Sequence, residues 1–170
     1  LIVSLPALAY RFIPSLHNKI EFMLYDLERF GKGEVNTLND AMRIVSVKVG
    51  MDIANNNILT GTGIGDLRSA TEQYYQRYYP DITPENYRLP HNQWVWVFAS
   101  SGLLSLLIFC HALYAPMLHS GALKHWLPWA FTIIMLSSML TEHTLEEQMG
   151  TAFYVTFLLL LMNHFGRAHE

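Results

Sequence analysis

Arg43, Arg68, His91, Asn92, Glu142 and the glycines at 61, 63 and 65 are the residues of this chain whose types suit chemistry. A guanidinium grips phosphate or pyrophosphate through two parallel N–H donors, and an imidazole near its ordinary pKa takes or gives a proton at neutral pH. Together they fit transfer of a phosphate-activated group. Each residue also has a plainer reading. A loop arginine is usually solvated or salt-bridged, a histidine ahead of an apolar helix is commonly an anchor or cap, and glutamates solvate hairpin tips. That last reading is preferred for Glu146 and Glu147. The run Gly61-Thr62-Gly63-Ile64-Gly65-Asp66 follows a helix pattern, and it lacks both the last glycine of a dinucleotide fingerprint and the Gly-Lys-Ser/Thr of a P-loop. Residue types alone leave these alternatives open.

The element that must carry His91 is a membrane helix. Pro90-His91-Asn92-Gln93 hands over to Trp94-Val95-Trp96-Val97-Phe98, and no Asp, Glu, Lys or Arg follows until Lys124. Tryptophans favour the headgroup layer, and residues 95–114 supply the roughly 20 apolar positions that cross a core about 30 Å thick. His91 is therefore expected at the water-facing mouth of a transmembrane helix. With 51% hydrophobic and 15% charged residues, the chain is more apolar than most soluble domains. Most of its charges fall between residues 14 and 95, which reads as a polar loop domain (14–94) inserted in a membrane protein. The net charge of −3 shows no basic face for nucleic acid.

The rest of the chain follows from pattern and punctuation. Residues 1–13 read as the end of a transmembrane helix, and an apolar start without a charged lead suggests a C-terminal piece of a longer membrane protein. Leu16, Ile20, Met23, Leu24 and Leu27 recur at helical spacing, and Gly31-Lys32-Gly33 breaks that helix. Thr37 or Asn39 can cap the next, in which Met42, Val45, Val49 and Ile53 form one stripe beside Arg43. Asn55-Asn56-Asn57 ends it. Residues 68–79 form a short tyrosine-rich helix suited to sugar rings or to a membrane interface. Residues 115–126 are a cytoplasmic turn, 127–141 and 150–163 two further spans, 142–149 a link on the opposite side and 164–170 a cytoplasmic tail. Lys124 and Arg167 set this orientation by the positive-inside rule. Arg43, Arg68, the glycine loop, His91 and the Glu142 link then share the opposite, external side. Cys110 lies alone in an apolar run, and His111, His119 and His125 share neither a face nor a carboxylate, so no metal and no cofactor is expected.

The order of Arg43 at a helix start, Asn57-Ile58-Leu59-Thr60-Gly61-Thr62-Gly63, then His91-Asn92 with Gly102-Leu103 inside the following helix, resembles the C-terminal half of the bacterial O-antigen ligase and polymerase family. The resemblance runs from about residue 40 to residue 163. The loop lacks the family's proline, Val47 stands where an aromatic residue is common, and a second family arginine would lie upstream of Leu1. The resemblance implies an all-α, polytopic transmembrane bundle of glycosyltransferase-C type with a large periplasmic loop, in the bacterial inner membrane. It implies a metal-independent enzyme of surface polysaccharide and lipopolysaccharide biosynthesis. The donor would be a glycan on undecaprenyl or a similar polyprenyl pyrophosphate, and the acceptor a hydroxyl of a lipid, glycan or protein. Arg43, with Arg68, would neutralise the leaving pyrophosphate, His91 would act as general base, and Asn92 would fix the helix start. Gly61, Gly63, Gly65 and Glu142 would line the substrate site. The competing expectation is a non-catalytic transport or scaffold protein with an external helical domain, though mid-membrane charges of the kind transporters use are missing from residues 96–140.

Overall fold

The computed structural model describes residues 10–31, 39–119 and 124–166, and among them it contains helices and no strands. In order these are α1 (Pro14–Gly31), α2 (Asn39–Asn56), α3 (Leu67–Tyr78), a 3-10 turn (Pro84–Asn86), α4 (Gln93–His119), α5 (Trp126–Thr141), a second 3-10 turn (Thr144–Glu146) and α6 (Gln148–Gly166). The expected helix end before residue 10, the break at Lys32 and Gly33, the Thr37 cap, Gly121 and the Arg167 tail lie outside the described residues.

Two cores share one helix. The first is the stripe read from sequence: Met42, Val45, Val49 and Ile53 of α2 are all buried, together with Leu67 and Tyr75 of α3 and Ala99 of α4. Tyr75 stacks on Tyr87 at 4.7 Å between ring centroids, and the Tyr74 hydroxyl donates to Asp52 at 2.9 Å. The tyrosine-rich face thus pins α3 to α2 and to the segment leading to His91. The second core joins Leu113 and Met117 of α4 to Phe131, Met135 and Met139 of α5 and Leu161 of α6. α4 therefore couples α2 and α3 to α5 and α6.

α4 is the described helix long and apolar enough to cross a membrane, while α5 is apolar but has only 16 residues. It runs past the expected end at residue 114, with Pro116 inside it, so the turn expected at 115–126 begins only after His119. It is also broken, because Gly102 has φ 79° and ψ 179°. A break strands backbone groups that an intact helix would pair, and these are expensive in an apolar setting. The glycine loop repairs it. Thr62 N–H donates to Ala99 O at 2.9 Å, Gly63 N–H to Ser100 O at 2.8 Å, and Leu103 N–H to Ile58 O at 2.8 Å. A Cβ on Gly61 would strike the Ser100 backbone, and one on Gly102 would strike the Leu59 carbonyl. Close backbone approach is what these two glycines supply.

Candidate functional site

His91 is held from three sides. A side chain at residue 50 would clash with Pro90 and Val95, so Gly50 lets α2 lie against the start of α4. The His91 backbone N–H donates to Ser46 Oγ at 3.2 Å, and that hydroxyl donates to Arg43 O at 2.7 Å. Asn92 accepts from Val95 N–H at 3.0 Å through its side-chain oxygen, a helix cap, and its Nδ2 donates to Leu140 O at 3.1 Å. Asn92 thus caps α4 and ties it to the end of α5.

The imidazole meets Glu142 just beyond that end. Nδ1 of His91 lies 2.6 Å from Oε2 of Glu142, and Oε1 of the same carboxylate lies 2.8 Å from Nη2 of Arg43. An ionised carboxylate can only accept, so it fixes the hydrogen of neutral His91 on Nδ1 and leaves the lone pair on Nε2. This is the arrangement a general base needs. Arg43 and Glu142 are both partly exposed, at 46% and 39% of their side chains. An ion pair this open is worth at most about 1 kcal/mol, so Arg43 can turn toward another anion at little loss.

Two cavities meet at His91. One, of about 520 Å³, is walled by Asp40, Arg43, Ile44 and Val47 from one face of α2, together with Met23 and Leu140. It is largely apolar, with one guanidinium at its wall. The other, of about 390 Å³, is walled by Arg68, Thr71 and Glu72 from one face of α3, by Tyr87, Arg88 and Leu89, and by His143. His91 lines both.

The structure therefore brings Arg43, His91 and Glu142 together, with Asn92 as the brace, and sets Arg68 in a different cavity from Arg43. The amides of Gly61, Thr62 and Gly63 are taken by Asn57, Ala99 and Ser100 carbonyls. Gly61 and Gly63 thus support the helix break instead of offering donors to a ligand, and Gly65 has open space where a Cβ would stand. Glu146 is exposed in the turn, as expected of a hairpin tip, and it also accepts from Gln93 Nε2 at 3.0 Å. Gln93 is fully buried, and its carbonyl accepts from Leu145 N–H at 2.8 Å. It locks the 142–146 turn to α4 and so sets Glu142 against His91. As an amide in the first helical turn, Gln93 carried no sequence signal for this.

His143 was missed as well. Its ring packs edge-on against His91 at 5.5 Å, and His91, Glu142 and His143 bring ligand-capable atoms within 4.8 Å of one another. A cation there would compete with the short His91–Glu142 contact and with Arg43 for the same carboxylate. A profile described as O-antigen ligase matches residues 1–110, a stretch that holds Arg43, the glycine loop, His91 and Asn92. No match was found among curated proteins.

Proposed function

The chain belongs to the O-antigen ligase family, and we propose that it transfers a glycan from a polyprenyl-pyrophosphate donor to an acceptor hydroxyl at the periplasmic face of the inner membrane. Family membership makes it a membrane protein of polysaccharide biosynthesis acting on lipid-linked glycans. The observation that carries the finer reading is the position of His91, oriented by Glu142 and shared between an apolar cavity and a polar one. The apolar cavity suits the isoprenoid end of the donor, with Arg43 beside its pyrophosphate. The polytopic bundle belongs to the same proposal, supported by the exposed leucines and isoleucines on α4, α5 and α6.

The reaction is a single displacement. The acceptor oxygen attacks the donor's anomeric carbon while its proton passes to Nε2 of His91. The bond from that carbon to the pyrophosphate oxygen breaks, and the oxygen leaves with the electron pair. Arg43 stabilises the charge that gathers there, and Glu142 stabilises the imidazolium. In this scheme arginine provides the positive charge for the leaving group, and Arg43 leaves Glu142 as the pyrophosphate arrives.

The test is the lipid-linked and surface glycan profile of cells carrying the full-length protein or its His91→Ala variant at matched expression. Loss of transfer in the variant supports the reading. Long chains stranded on the carrier lipid identify a ligase, and single repeat units on the final acceptor identify a polymerase. An unchanged profile overturns it.

A further inference from the structure

Resting on the transfer reaction proposed above, we infer that His91, Glu142 and His143 form a Zn²⁺ site whose occupation switches the base off. His143 is the residue that points to it. Its Nδ1 is buried and has no hydrogen-bond partner among the described residues, and a buried polar atom in that position costs stability until a water or an ion meets it. Glu147 Oε1 lies 3.9 Å from Nε2, the other ring nitrogen. A carboxylate on that side favours the hydrogen on Nε2 and leaves the lone pair on Nδ1. His91, Glu142 and His143 each bring a ligand-capable atom within 4.8 Å of the other two.

The donor set specifies the cation. Two imidazoles and a carboxylate suit Zn²⁺, with water in the fourth position, whereas Mg²⁺ takes oxygen ligands. Ligand atoms around a tetrahedral Zn²⁺ stand roughly 3.3 Å apart, so the His91–Glu142 contact of 2.6 Å opens as the ion enters and the His143 ring closes in. Glu142 and His143 are neighbours on the turn that Gln93 locks to α4, which keeps both beside His91. Arg43 holds the other oxygen of Glu142 in a pair exposed enough to yield. A cavity of about 280 Å³ bordered by Ser138, Glu142, His143 and Glu147 gives the ion its way in, with carboxylates along it. Once bound, Zn²⁺ takes the place of the hydrogen on Nδ1 of His91, and the neutral ring carries that hydrogen on Nε2 instead. Nε2 is the atom that must receive the acceptor's proton, so the loaded protein has no base.

The experiment is a Zn²⁺ titration of the chelator-stripped, detergent-solubilised full-length protein against a chromophoric zinc indicator, paired with the transfer assay at the same Zn²⁺ concentrations. His143→Ala should weaken the tightest binding at least tenfold and raise the Zn²⁺ concentration for half-inhibition by the same factor. His143→Asp keeps a ligand oxygen at about the reach of Nδ1 and should recover part of both. A thousandfold excess of Mg²⁺ should neither displace Zn²⁺ nor inhibit. Equal affinity in parent and His143→Ala would overturn the site. Stimulation by Zn²⁺, or inhibition that ignores His143→Ala and so acts on the donor's pyrophosphate, would overturn the switch. Binding is read without turnover, so the two readings fail separately. Zn²⁺ bound through His143 in a protein that transfers no glycan sinks the transfer reaction alone, and transfer by a protein that His143 does not help to bind Zn²⁺ sinks the metal site alone.

Discussion

His91 Nδ1 and Glu142 Oε2 lie 2.6 Å apart although 51 positions separate the two residues in the chain. The contact depends on three braces. Asn92 holds the end of α5, Gln93 holds the turn after it, and Ser46 holds the His91 backbone.

If Glu142 acts through His91, the two residues behave as one unit. His91→Ala should lower turnover by about 10²- to 10⁴-fold, the usual contribution of a positioned base. Glu142→Gln keeps the shape and removes the charge, and it should cost a similar amount. The double variant should then be no slower than His91→Ala alone, because effects within a unit do not add. Steady-state transfer rates of the three proteins decide this, and losses that multiply would show that Glu142 acts elsewhere.

Arg43→Lys keeps a positive charge at the apolar cavity but gives up the two-pronged donor. Removing a donor aimed at developing charge typically lowers turnover by about 10²- to 10³-fold, and lysine should recover only part of that. The drop should appear in kcat with the lipid donor. Parent-like turnover by Arg43→Lys would mean that the pyrophosphate is held by other groups.

The parts of this site that were legible from sequence were set by local rules. The stripe Met42, Val45, Val49, Ile53 fixes how α2 lies, and that places Arg43 beside the core. The abrupt passage from Pro90-His91-Asn92 to apolar residues marks where α4 starts. The expected grouping of Glu142 with Arg43 and His91 matches the contacts these three residues make. The pairing itself was not legible, because it depends on Gln93 reaching Glu146 and Leu145 across the bundle. The glycine loop was visible as a place of close approach, yet its partner was hidden. Gly102 was visible as part of a motif but not as a break, because it falls inside a continuous apolar run, and Pro116, the residue that reads as a terminator, stays within the helix.

The glycines of the loop and helix should separate by position. Gly102 has φ 79° and ψ 179°, a region essentially closed to other residues, and a Cβ there meets the Leu59 backbone, which no rotamer change relieves. Gly102→Ala should therefore destabilise the protein by about 1–3 kcal/mol or more. Gly65→Ala, with nothing near the added methyl, should stay within about 0.5 kcal/mol of the parent. Thermal unfolding in one detergent compares them. Equal midpoints would mean that the loop does not clamp the broken helix.

Tyr74 gives a pH dependence whose sign is fixed. Partial burial first, and then the hydrogen bond to Asp52, push its hydroxyl up to about 12 from an ordinary 10.0. The folded protein thus holds this proton more tightly than the unfolded chain. The stabilisation is complete below pH 10.0 and is lost as pH rises toward about 12. Tyr74→Phe deletes the bond to Asp52 and should lower stability by about 0.5–1.5 kcal/mol at pH 8. It should also remove this residue's share of the alkaline decline, so the stability curves of parent and variant converge above pH 10.0. Denaturation midpoints measured between pH 8 and pH 11 check both parts. A constant gap across that range would show that the Tyr74 proton is not tied to the packing of α3 on α2.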